Sequence, residues 1–235
     1  MDEQRTANPK SKVDIDLTTV LAGQHAKIRG LFATVLAAPP EGRAQEFGRL
    51  ERLLAIHEAA EQESLHGTAV PAAPSDLGTA ATGDASDEEV SARRLREEEA
   101  AGDTLEHLQG MDPTSLFFRL QVEDLEEAVK RHADAEETEE LPRFLARASA
   151  EQRDHALLTM GRVEELAADT SEQAVVPVGG GFADQLAAAR RALEGAARSP
   201  LPDAAEQQGA EPVVDHLASR WRKLTARLHR RKSPN

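Results

Sequence analysis

The chain has 235 residues, enough for one well-buried domain with appendages and too few for two large ones. It holds no cysteine and no tyrosine, and only 3% of it is aromatic. Disulfides, thiolate-bound zinc, cysteine-ligated iron–sulfur clusters and a cysteine nucleophile are excluded, and helices are favoured over a β-sandwich or barrel. The formal charge of −14 is uneven: residues 213–235 carry seven basic side chains against the single acid Asp215, a net +6, so the rest carries −20. Such a body repels nucleic acid and suits cation uptake.

Residues 1–13 read as a flexible polar tail without an apolar signal core, and no window approaches about 18 uninterrupted apolar residues, so a soluble cytoplasmic protein is expected. From Asp14 to about Ala38, Leu17, Leu21, Ile28, Phe32 and Val35 recur at helical spacing until Pro39 and Pro40. A second helix carries Leu50, Leu53, Leu54 and Leu65 on one stripe and stops near Gly67. Residues 68–85, rich in Ala, Pro, Gly, Ser and Thr, read as a long loop. Ser86 and Glu89 form a capping-box signature for a third helix that runs to about Met111.

Asp112 and Pro113 supply an N-cap and a first-turn proline for a fourth helix, which shows Leu116, Val122, Leu125 and Val129 inward and ends before Pro142. Two hairpins of this kind make an all-α, up-and-down four-helix bundle. An added helix over about 149–168 completes a domain spanning 14–168. Residues 169–212 read as linkers around a short Ala-rich helix, with the triple glycine at 179–181, and the bundle is expected to stand without them. Residues 213–235 form a basic amphipathic helix with Val214, Leu217, Trp221, Leu224 and Leu228 on its apolar stripe. It suits docking on the acidic bundle, on a protein partner or on anionic lipid, and gives no support for specific nucleic-acid reading.

The chemistry lies in paired residues on the apolar stripes. His57 and Glu61 continue the stripe of Leu50, Leu53 and Leu54, and His132 and Glu136 continue that of Val122, Leu125 and Val129. Burying two such pairs is costly without a partner, and a metal ion provides one: imidazole gives nitrogen, and a carboxylate can bridge two ions. His25, between Leu21 and Ile28, returns to the height of His57 across the Pro39–Pro40 turn. On the third helix, His107 is a natural donor by type, but it sits five residues before Asp112 while His132 sits 20 after it, a mismatch of roughly 20 Å. Glu98 or Glu99 has the better height. Glu58, about 100° from His57, reads as a solvated residue, as does most of the acidic run after Glu136. His66, His155, His216 and His229 read as structural or surface residues.

The stretches GQHAKIRGLF, LLAIHEAAEQE and SLHG, followed by LREEEAAGDTLEHLQGMDP and LEEAVKRHADAEETEELPRFL, resemble the two halves of the hemerythrin-like HHE cation-binding family over roughly 14–168. The resemblance implies metal ligands at His25, His57 and Glu61, then at His132 and Glu136. The third-helix histidine of the pattern is replaced at or beside Glu98 or Glu99. It also implies a non-haem pair of iron ions, bridged by oxo or carboxylate oxygens, that meets O2, NO or peroxide. Three histidines with three carboxylates favour ferric iron over a histidine-rich site. Two readings stay open: a sensor, binder or iron handler, and a diiron oxidase, oxygenase or ferroxidase with an unidentified substrate.

Overall fold

The computed structural model describes residues 16–66, 86–169, 171 and 174–197. The expected tail at 1–13, the loop at 68–85, the linker after 197 and the basic helix at 213–235 lie outside them, along with His216 and His229. No strand occurs among the described residues, and none of their helices is long and apolar enough to cross a membrane.

Helix α1 (Leu17–Ala37) buries Leu21, Ile28, Phe32 and Val35 as the spacing predicts. A turn of two residues leads to α2 (Pro40–Glu61), where Pro40 takes the first helical position, in which a missing N–H costs nothing. Helix α3 (Asp87–Gln109) opens on the capping box: the Ser86 side chain accepts from the Glu89 amide, and the Glu89 carboxylate accepts from the Ser86 amide. Helix α4 (Leu116–Ala135) begins later than the sequence suggests. Its cap is Ser115, which accepts from the Phe118 amide, while Asp112 closes an Asx turn on Thr114. Leu116 consequently points outward and Phe118 inward.

A π-helical turn follows each His-x3-Glu segment, at Gln62–His66 after α2 and at Glu136–Glu140 after α4. The second explains why Pro142 does not end the helix. A proline lacks the N–H for the α ladder and crowds the carbonyl four residues back; the wider turn accommodates it, and α5 (Leu141–Arg147) continues the rod.

Helix α6 (Ala150–Ala168) starts on a second capping box, Ser149 with Gln152, and packs on α1 and α2. Helix α7 (Phe182–Ala197) departs from the linker reading. It lies along α2 and reaches α3 and α6, and Leu17–Pro200 form one unit. Phe182, Gln185, Ala188, Ala189 and Leu193 are buried at helical spacing, and the Phe182 ring sits over Gly102, where a Cβ would approach it to 3.0 Å. Gly179 and Gly180 have φ of +93° and +89°, which glycine adopts at no steric cost; the Gly180 carbonyl accepts from Gln109 at 2.7 Å.

With α1, α6 and α7 around it, α2 is buried on every side from Leu50 to Glu61. Its polar residues are held by specific partners. Arg52 donates to the carbonyls of Val176 (2.8 Å), Ala167 (3.0 Å), Leu166 (2.6 Å) and Asp169 (2.5 Å), closing the C-terminal end of α6 and the segment leading to α7. Glu51 accepts from Gln109 and Gln185, and burial raises its carboxyl to about 6.

Removing the guanidinium leaves these carbonyls without their charged donor, so Arg52→Ala should cost roughly 2–3 kcal/mol in denaturant unfolding. Ending the chain after Asp169 should lower the melting temperature well below that of the full chain. A truncated protein that melts as the full chain does would show that α7 is dispensable after all.

Candidate metal centre

Five side chains of the sequence-derived set converge with Glu98 on the bundle axis. His25 comes from α1, His57 and Glu61 from α2, Glu98 from α3, His132 from α4, and Glu136 from the π turn that follows it. They fall into two groups, each with ligand atoms within 4.8 Å of one another: His25, His57, Glu61 and Glu136; and Glu61, Glu98, His132 and Glu136. Glu61 and Glu136 belong to both. The His25 and His57 rings meet edge-on with centroids 5.0 Å apart, so the two helices do return to one height.

Every histidine turns Nε2 inward. His57 Nε2 lies 2.8 Å from Glu61, His25 Nε2 lies 3.2 Å from Glu136 and 3.8 Å from Glu61, and His132 Nε2 lies 3.4 Å from Glu136. Each Nδ1 is engaged behind the cluster, by Glu137 at 2.7 Å for His25, Gln24 at 2.9 Å for His57 and Glu97 at 3.0 Å for His132. An acceptor at Nδ1 fixes the proton there and leaves the Nε2 lone pair for an electrophile. The acceptors are themselves held: Gln24 donates to the Met160 carbonyl at 2.7 Å, and Arg94 pairs with Glu97 at 2.6 Å.

A cation fits this donor set. Beyond these contacts with one another, His25 Nε2, Glu61 Oε1 and both oxygens of Glu136 are buried with no further hydrogen-bond partner among the described residues. Buried oxygens of this kind are costly, and an ion would satisfy several at once.

The structure separates the third-helix candidates. Glu98 is 4% exposed and inside the second group, whereas Glu99, one residue and about 100° further round α3, is exposed and belongs to neither. His107 is exposed, as its height and angle imply. Three consecutive glutamates thus have three fates, since Glu97 orients His132. The same rotation turns Leu95 outward, 42% exposed, while Arg94 beside it is buried.

Glu58 is the other correction. It is buried, not solvated, because α2 has no outer face at that point. It lines a cavity of about 350 Å³ shared by α1 to α4 that includes His25, His57 and His132 of the cluster, with Ile28, Leu54, Leu125 and Val129 on the apolar wall and Gln121, Asp124 and Arg131 among the polar groups. Sequence reasoning also missed Gln24, Glu97 and Glu137, though each neighbours a cluster residue in the chain.

A model of the hemerythrin HHE cation binding domain matches residues 16–144. The chain belongs to the hemerythrin HHE family. Comparison with curated proteins and with solved structures found no match. The HHE match accounts for α1 to α4 and the cluster they build; α6 and α7 lie beyond it.

The charges in the metal-free HHE cluster are strongly shifted. Burial would lower the His25 and His132 imidazoles, but the Glu136 and Glu61 carboxylates outweigh it and raise each to about 10. Burial likewise opposes ionisation of Glu61 and Glu136, yet the histidines hold Glu61 well below the usual carboxylate range and Glu136 below it. Glu58 is pushed up to about 9 by burial and by the nearby Glu98 and Glu61.

Stability should follow these shifts by linkage. The raised histidines stabilise the metal-free fold fully below about 6.5, and that contribution is lost as pH climbs towards 10. Glu58, ionised above 4.5 when unfolded but only above about 9 when folded, adds a loss in the same direction. Glu61 and Glu136 act oppositely, their contribution disappearing as pH falls below the normal carboxylate range. Chelator-treated protein should therefore melt at progressively lower temperature from pH 6.5 to 9, while the gap between metal-loaded and metal-free protein widens, because binding displaces protons. A flat melting profile for the metal-free chain over that range would contradict the charge arrangement.

Proposed function

We propose that this chain is a non-haem diiron protein that interacts with O2, NO or peroxide as a sensor, binder or iron handler. The observation that carries the reading is the overlap of the two ligand groups through Glu61 and Glu136. His25, His57, Glu61 and Glu136 would hold one ion, and Glu61, Glu98, His132 and Glu136 the other. Imidazole and carboxylate without thiolate suit iron, and inward-facing carboxylates and histidines of a helix bundle are the recurrent way to hold an iron pair. Bound iron would supply redox chemistry and a Lewis-acidic position for a small ligand.

The protein's own residues prepare that site. Glu137, Gln24 and Glu97 hold the three imidazoles in the tautomer that presents Nε2. Glu61, Glu98 and Glu136 supply negative charge where a multiply charged cation has to sit. Ile28, Leu54, Leu125 and Val129 give one side of the approach an apolar wall.

A second reading, a diiron oxidase, oxygenase or ferroxidase, draws support from the cavity. At about 350 Å³ it exceeds what a diatomic needs and reaches the lower end of the roughly 300–1,000 Å³ typical of small-molecule sites. An oxygen adduct that reverts under vacuum favours the binder; turnover with oxidation of an added substrate favours the enzyme.

Anaerobically purified, iron-replete protein should carry two irons per chain and melt well above its metal-free form, since binding energy adds to folding energy. Metal analysis after His57→Ala or His132→Ala should show iron lost, because no neighbour replaces the nitrogen. Glu98→Ala should weaken iron binding, and Glu99→Ala and His107→Ala should leave it unchanged. Full iron content in both histidine variants would mean that the ligand set is wrong.

A further inference from the structure

The contacts that end on Glu98 begin outside the family match. Arg190 on α7 donates from Nε to Gln62 Oε1 at 2.9 Å and reaches the same oxygen through a terminal nitrogen. Gln62, the first residue of the π turn after α2, donates from Nε2 to Glu98 Oε2 at 2.6 Å.

The order of this chain has a physical reason. A carboxamide is nearly symmetric in shape, and its oxygen and nitrogen can exchange places by a half turn. Only the nitrogen end attracts a carboxylate. A guanidinium behind Gln62 selects the orientation with oxygen outward and NH2 towards Glu98. The base of Arg190 is fixed independently, through Phe182 over Gly102 and Gln185 beside Glu51 on the same helix.

Glu98 needs such a partner more than the histidines do. Its side chain has three torsions and two equivalent oxygens, whereas an imidazole is rigid once Nδ1 is held. Pinning one oxygen settles which way the carboxylate lies beside His132, Glu61 and Glu136.

We infer that Gln62 and Arg190 are positioning residues for Glu98, so that α7, beyond the matched region, completes the half of the cluster built on His132. The inference rests on the two-ion reading.

The test uses the full chain with Gln62→Ala, Arg190→Gln, Arg190→Lys and the Gln62→Ala/Arg190→Gln double variant. Folding is checked by far-ultraviolet circular dichroism, and iron per chain and its dissociation constants come from competition with a chelator. Partners behind metal ligands typically contribute about 10- to 100-fold in affinity, so Gln62→Ala should weaken one of the two ions by at least about tenfold and leave the other unchanged. Arg190→Gln should act in the same direction less strongly, and Arg190→Lys should recover part of the loss. The double variant should match Gln62→Ala alone, because Arg190 acts through Gln62. Arg190 is exposed, so its replacement tests the idea even if Gln62→Ala folds poorly. Unchanged affinity for both ions, or losses that add in the double variant, would overturn the inference and leave α7 a packing element. Wild-type protein that takes up fewer than two ions would instead overturn the two-ion reading.

Discussion

The structure turns on the two carboxylates that three imidazoles share. Glu61 and Glu136 are 1% and 0% exposed, and all the cluster's charge converges on them. Attraction between opposite charges about 4 Å apart is roughly 4 kcal/mol at an effective dielectric of 20, comparable to the several kcal/mol of desolvating each ion. Histidine and glutamate therefore come close to balancing each other. What they leave unbalanced is the repulsion between Glu61 and Glu136; that of Glu58 by Glu98 and Glu61 is met by keeping Glu58 protonated. A cation held by Glu61 and Glu136 would relieve that repulsion.

That demand shapes the backbone around it. Both shared carboxylates stand at the junction with a π-helical turn, Glu61 at the last residue of α2 and Glu136 at the first residue of its turn. Such turns recur at functional sites because they re-aim the residues beyond them without ending the helix. Here the first places Gln62 opposite Glu98, and the second puts Glu137 behind His25 and carries the rod past Pro142. The burial of α2 follows from the same demand. The cluster residues His57 and Glu61 on its inner face and helices on its others leave no water for its charges, so Arg52 and Glu51 take carbonyls and amides instead.

Much of this was legible in the sequence. The His-x3-Glu pairs lie on apolar stripes, His25 lies between two core residues, and the capping boxes at Ser86 and Ser149 are local signals that packing does not override. The height argument separated His107 from the cluster for the same reason, since rise per residue is a property of any helix. What could not be read depended on which faces are covered. Glu58 looked solvated because a helix was given one inner face, and α2 has none that is outer from Leu50 to Glu61. The Ala-rich segment reads as a linker helix because its buried face offers only two large apolar residues, Phe182 and Leu193, with two alanines and the polar Gln185 between them, too few to mark a packed stripe. Leu116 departs the other way: it is large, apolar and exposed, while Phe118 two residues on is buried in the core, and on α3 Leu95 is likewise exposed beside Arg94, which is buried against the acidic Glu97.

The glutamate on α3 ties these findings into one dependence. A histidine there would need an acceptor behind it, and this bundle is rich in them: Glu97, Glu137 and Gln24 already serve the other three rings. A carboxylate is oriented by a donor instead, and Gln62 Nε2 reaches Glu98 at 2.6 Å. Gln62 is the donor at hand, and an amide is neutral and reversible in orientation, so it has to be set by a cation behind it. The bundle's own helices have other tasks for their nearby arginines: Arg94 holds Glu97, and Arg93 pairs with Glu139. The cation comes from α7, and with it the requirement that α7 stay packed on α2. A carboxylate at this place on α3 thereby links the cluster to a helix outside the four that build it.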